Sequence, residues 1–131
     1  PASADDQKNL VLLRAKTSYI MLNAFPYNAG HLLIAPYKHT GELSDLAEAE
    51  LNEMTALLVR SKDLLTRAMK PHGFNVGLNL GRTAGAGVLD HVHWHIVPRW
   101  DGDCNFMPVT ADTRVVPQAL EELFVELKKH L

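Results

Sequence analysis

Imidazole and apolar side chains alternate without a break through His91-Val92-His93-Trp94-His95-Ile96. A period of two belongs to an extended strand, so the three histidines project to one side while Val92, Trp94 and Ile96 project to the other. The apolar side demands a hydrophobic layer against it. Three imidazoles are poor core material, because each buried ring nitrogen needs a hydrogen-bond partner. A chain with this run has to build a sheet covered on one face, with something polar meeting the other.

The remaining sequence supplies the sheet and its cover. Runs 10–15 and 19–23 read as two strands of a hairpin, and Lys16-Thr17-Ser18 separates them. His31-Leu32-Leu33-Ile34-Ala35-Pro36 reads as a buried third strand that Pro36 ends, after the turn-rich stretch Phe25 to Gly30. From Leu46 to Met69 apolar residues recur at three- and four-residue spacing, which predicts one long amphipathic helix beyond a cap at Ser44 or Asp45. Lys70-Pro71-His72-Gly73 stops it, and the alternation from Phe74 to Leu80 predicts a fourth strand. A glycine-rich loop, Gly81 to Gly87, then feeds the histidine strand, which Pro98 is expected to end. Pro117 to Leu131 predicts a closing helix with Leu120, Leu123, Phe124 and Leu127 on one face. The expected fold is α+β: a five-stranded, mainly antiparallel sheet with one long helix and a C-terminal helix, residues 1–131 forming one domain.

Composition excludes several functions. At 47% hydrophobic and 21% charged, the 131 residues suit a soluble globular domain, and a formal charge of -2 supplies no basic field for nonspecific nucleic-acid binding. No apolar run approaches the roughly 20 residues that span a bilayer, and the polar start has no signal-peptide core, so neither a membrane nor export is expected. The single Cys104 excludes an internal disulfide or a cysteine zinc cluster within this segment and leans toward the cytoplasm. Because the chain opens on Pro1, an N-terminal piece is expected to precede it, together with any metal-binding cysteines that piece carries.

Two chemistries suit the histidine face. Three imidazoles can ligate zinc or iron, but ligands at i, i+2 and i+4 of a flat strand spread over about 13 Å, an awkward reach for one tetrahedral ion. Alternatively, a neutral imidazole attacks phosphorus through one nitrogen while an acceptor holds the other N–H, and its neighbours stabilise the phosphate oxygens.

The run His91-Val92-His93-Trp94-His95-Ile96-Val97 resembles the His-φ-His-φ-His-φ-φ signature of the histidine-triad (HIT) superfamily. The likeness extends through Asn23, Gly30-His31-Leu32-Leu33-Ile34-Ala35-Pro36, the long helix, Asn79 and Pro98-Arg99-Trp100, so it covers most of the chain. It implies a nucleotidyl hydrolase or transferase in which His93 forms a nucleotidyl-histidine intermediate, its other ring nitrogen held by the carbonyl of His91. The same resemblance puts His95 near the scissile oxygens, His31 in support of His95, Asn23 on the ribose hydroxyls, and Met21 and Leu33 at the base. Many family members carry Gln and then Ser or Thr where this chain has Gly87 and Val88. That shifts phosphate binding onto the backbone of Gly85-Ala86-Gly87, with Asn79 or Arg82. The downstream run from Pro98 to Pro108 is similar to the bacterial branch of diadenosine tetraphosphate phosphorylases, with Arg99 for a polyphosphate tail and Trp100 for a second base. No cofactor is required by the covalent mechanism, and a divalent metal is expected only with a polyphosphate substrate. A homodimer joined edge to edge is implied as well. The alternatives are a nucleotide-binding regulatory module, a purine nucleoside phosphoramidase and, as a minority reading, a histidine-based metal binder.

Overall fold

Alternation within the first strands decides which way the sheet faces. In the computed structural model, which describes residues 4–84, 91–103 and 117–131, Ser18, Ile20 and Leu22 are buried while the intervening Tyr19 and Met21 are half-exposed. Five strands, β1 (Val11–Arg14), β2 (Ser18–Leu22), β3 (Leu32–Pro36), β4 (Gly73–Leu78) and β5 (Trp94–Arg99), form one sheet ordered β1-β2-β3-β5-β4. Every neighbouring pair is antiparallel.

A short helix α1 (Ala4–Lys8) precedes the sheet, α2 (Glu48–Met69) joins β3 to β4, and α3 (Pro117–His130) closes the chain. Helix α2 turns Met54, Leu57, Leu64 and Leu65 inward, a spacing that keeps them on one helical face. They meet Ile20, Leu22, Leu32, Ile34, Val92 and Ile96 of the sheet side, and Leu120, Phe124 and Leu127 of α3 complete the core. Val92 and Ile96 thus face the helices, as the alternation predicts. The α+β architecture and the antiparallel sheet are those expected from the sequence.

Four local expectations need correction. Strand β5 begins at Trp94, because the Val92 N–H turns away to the Thr40 carbonyl (2.7 Å) and takes residues 91–93 off the ladder. Strand β4 accordingly ends at Leu78, the partner of Trp94, and not at Leu80. Pro98 lies inside β5: its carbonyl accepts from Asn28 Nδ2 (3.2 Å) on the β3 side, past the last β3 pair at Leu32↔Ile96, where its missing N–H costs no ladder bond. Neither Ser44 nor Asp45 caps α2. Leu43–Asp45 forms a 3₁₀ turn with the Asp45 carboxylate accepting from Thr40 Oγ1 (2.7 Å), and the helix starts after Ala47, whose N–H donates to Glu50 Oε1 (2.9 Å). Its far end closes where expected, on Lys70 in the left-handed conformation (φ 51°).

Candidate active site

The sheet face turned away from the helices carries the histidines. The pairs Met21↔Leu33, Leu33↔His95 and Gly77↔His95 define one row of side chains across four strands on that face. In the next row Asn23 donates its backbone N–H to the His31 carbonyl (2.9 Å), so Asn23 and His31 lie beside Met21 and Leu33. Asn79 follows the Leu78↔Trp94 pair, one register step from His93.

Ring protons can be assigned by following donors that have no alternative role. A backbone N–H only donates and a carbonyl only accepts. The Tyr27 N–H points at His31 Nδ1 (3.1 Å), so that nitrogen is unprotonated and the neutral ring carries its proton on Nε2. His31 Nε2–H then donates to His95 Nδ1 (2.8 Å), which leaves the His95 proton on Nε2. That Nε2 is buried and has no hydrogen-bond partner among the described residues. Among the described residues this donor is left unspent, on a ring that stands beside His93.

His93 has the opposite arrangement. Its Nδ1–H donates to the His91 carbonyl (2.9 Å), so Nε2 holds the free lone pair. Its ring stands edge-on to that of His95, with centroids 4.7 Å apart. A nucleophilic nitrogen and a hydrogen-bond donor thus sit side by side. Behind them, His91 donates Nε2–H to the Pro36 carbonyl (2.9 Å) and accepts at Nδ1 from His39 Nδ1 (3.0 Å).

Burial keeps the supporting imidazoles neutral. It pushes His31 down to about 3, with His95 and His93 adding to the effect, and His95 down to about 4, with His93 adding. Both are then uncharged at neutral pH, as the proton assignment requires.

The residues singled out from the sequence fall into three groups. His31, His93, His95, Asn23, Met21 and Leu33 come together on one face, and His91 stands behind them, bonded to the Pro36 carbonyl and His39. Asn23 is engaged locally: its Oδ1 accepts from the Phe25 N–H (2.9 Å) and its Nδ2 lies 3.3 Å from His31 Nδ1. Arg99 lies at the far end of β5, its guanidinium held by Asp103 (2.7 and 2.8 Å) and Asn75 (2.6 Å). The same pairing holds the Asp103 carboxyl down at about 2. Trp100, next in sequence, donates its N–H to that carboxylate (3.1 Å). Gly85, Ala86, Gly87 and Val88 lie outside the described residues.

Tyr27 and His39 were not singled out from the sequence. Tyr27 sits in a run read only as a turn, and His39 follows Pro36 with no periodic pattern to assign it a face. The one sequence signal for His39 is its place in step with Ala35 and Tyr37. Among the described residues, no group of three or more His, Cys, Asp or Glu side chains is placed to hold a metal ion.

An open antiparallel sheet that presents an unprotonated imidazole nitrogen beside a preset donor is able to hold an anionic group and attack it. The chain belongs to the HIT domain family, which residues 4–102 match. It is 44% identical over 117 residues to the AP-4-A phosphorylase of Mycobacterium tuberculosis, covering 89% of this chain and 60% of that protein. It is 31% identical over 93 residues to the asymmetrical bis(5'-nucleosyl)-tetraphosphatase of Schizosaccharomyces pombe, covering 71% of this chain and 50% of that one. The chain therefore spans between half and two thirds of these relatives' lengths. Among solved structures, the diadenosine triphosphate hydrolase of Plasmodium falciparum, in complex with Cyclomarin A, superimposes with a TM-score of 0.80 at 26% identity. That match covers 94% of this chain and 76% of that one.

Proposed function

We propose that the protein cleaves dinucleoside polyphosphates at the α-phosphate through a nucleotide bound covalently to His93. The observation that carries this reading is the His93 Nδ1–H···O=C bond to His91, which leaves the Nε2 lone pair of the neutral ring free to attack. In the first step the Nε2 lone pair forms a bond to the α-phosphorus, and the bond from that phosphorus to the bridging oxygen breaks, its electrons leaving with the remaining polyphosphate. His95 Nε2–H donates to the oxygen that gains charge, held in place by His31. In the second step water or inorganic phosphate attacks the same phosphorus, the P–N bond breaks, and the lone pair returns to His93. Asn23 would meet the ribose, and Met21 and Leu33 the base. The engaged guanidinium of Arg99 makes its expected phosphate role depend on releasing Asp103.

The names of the relatives support the substrate class. A divalent metal would enter this scheme with the polyphosphate. A second copy of the chain, joined along β4, is proposed as the partner. No helix among the described residues is long and apolar enough to cross a membrane, and a cytoplasmic location accords with the single Cys104.

Incubation with diadenosine tetraphosphate, with and without phosphate, tests the reading. ADP plus ATP formed only with phosphate means phosphorolysis, and AMP plus ATP means hydrolysis. Binding without cleavage identifies a regulatory module, and turnover confined to an adenosine phosphoramidate identifies a phosphoramidase. His93→Asn is expected to abolish turnover, by about 10⁴-fold or more, while retaining nucleotide binding. Turnover at the wild-type rate in that variant refutes the covalent step.

A further inference from the structure

We propose that Tyr27 is a positioning residue of this site, its ring capping the His31–His95 pair and its backbone N–H setting which ring nitrogens carry protons. The inference rests on the reading of His95 as the donor beside His93.

Tyr27 lies in the segment between β2 and β3, against the two imidazoles. Its backbone N–H donates to His31 Nδ1 (3.1 Å). The centroids of Tyr27 and His31 are 4.9 Å apart with planes inclined by 41°, and those of Tyr27 and His95 are 6.1 Å apart with planes inclined by only 16°. Tyr27 is 50% exposed while His31 is fully buried, so the ring takes the solvent-facing position above the pair.

Two effects of such a ring oppose each other. Its π face attracts an imidazolium, an effect of about 0.5–1 kcal/mol at an exposed position. Its bulk removes water that a charged imidazole needs, which costs more as burial deepens. Burial is the largest influence on both histidines, so desolvation prevails. The charge of His93, just before β5, acts on both rings and that of His95, in β5, on His31, each in the same downward direction. Just past β2, Asn23 brings only a neutral amide, and Arg99 further along β5 is paired with Asp103. The cap and the backbone donor therefore work together. One keeps the pair uncharged, and the other ensures that the single donor left over is His95 Nε2–H.

Long-range ¹⁵N NMR of the ligand-free, histidine-labelled protein reads both consequences without substrate. In the wild type, His31 and His95 should both appear as Nε2–H tautomers at pH 7.5 and stay neutral to pH 5. A Nδ1–H tautomer at His95, or titration near its ordinary value of about 6.5, overturns the proposal with no variant needed. In Tyr27→Ala the His95 midpoint should rise by about one unit or more, whereas Tyr27→Phe should keep it within about 0.3 unit of wild type. An unmoved midpoint in Tyr27→Ala, or an equal shift in both variants, also overturns it. If diadenosine tetraphosphate is not cleaved at all, the function proposed above fails while the imidazole spectra still decide the role of Tyr27.

Discussion

Tyr27 N–H, His31 and His95 form a chain of donors with one free end, and its protonation state should be visible in the stability of the protein. Both imidazoles are neutral in the fold and have depressed proton affinity. Above the ordinary histidine value of about 6.5 the folded and unfolded states are both unprotonated there, so stability does not depend on these groups. Below it the unfolded chain takes up protons that the folded one refuses, and stability falls by up to about 1.4 kcal/mol per pH unit for each histidine. Denaturant melts at pH 7.5, 5.5 and 4.5 should show this slope, and His95→Asn should remove close to half of what the pair contributes. An unchanged slope in that variant refutes the assignment. Gly30 matters for a different reason. It adopts φ +84°, and an added Cβ would come within 2.7 Å of Met69 Sδ and 3.0 Å of Pro98 Cγ. Gly30→Ala should therefore cost about 2–4 kcal/mol in chemical denaturation, the sum of left-handed strain and overlap. The sequence made the nearness of His93 and His95 legible, but not the place of His91, which leaves the strand and turns to the Pro36 carbonyl and His39. It could not assign the ring protons, because Tyr27 and the carbonyl of Pro36 reach the histidines only through tertiary folding.

Helix α2 does more than cover the core, because Glu53 reaches from it to clamp the turn between β1 and β2. Its carboxylate accepts from the N–H groups of Lys16 (3.2 Å) and Thr17 (2.8 Å) and from the hydroxyls of Thr17 and Ser18 (2.5 Å each). Burial raises its proton affinity, but the hydrogen bonds from Ser18 and Thr17 outweigh that and the carboxyl is lowered overall. A carboxylate with a depressed folded pKa contributes stability that is present above its unfolded value, about 4.3, and is lost as pH falls through the folded one. Glu53→Ala should destabilise by about 1–3 kcal/mol at pH 7, and the gap from wild type should shrink below pH 4. A pH-independent gap in paired melts argues against the clamp. This element was half legible. The apolar period announced the helix and its inward face, and the Lys70 stop fell where the sequence put it. The start was not legible, because Thr40 captures Asp45 and leaves Ala47 and Glu50 to begin the helix. The same holds for β5, whose first paired residue depends on Val92 bonding to Thr40, a contact 52 positions away in sequence.

Across the whole molecule the helices cover β1, β2, β3 and β5, while β4 pairs only with β5 and closes the sheet at an edge. Asn75 and Val76 in its middle are exposed, Val76 by 49%, and no residue of β4 is buried. An edge strand with an apolar centre invites pairing with another strand, and proteins that stay monomeric protect such edges with charge, proline or a bulge. Strand β4, Gly-Phe-Asn-Val-Gly-Leu, carries none of these charged or proline guards. A second copy joined antiparallel at β4 would extend the sheet to ten strands and pair the β4 edge of each copy, leaving β1 at either end, the closed two-fold arrangement that such an interface favours. The sequence alone could propose this partner only through family resemblance, since which strand lies at the edge follows from the β3-β5-β4 order. On this proposal the wild-type chain should sediment at twice the monomer mass at micromolar concentration. Val76→Lys, which puts a charge where the two copies of β4 meet, should weaken the dimer by about tenfold or more with little change in monomer stability. Sedimentation equilibrium on both proteins decides the matter. A wild-type monomer rules out the edge-joined pair, and an equally tight dimer in Val76→Lys moves the interface away from β4.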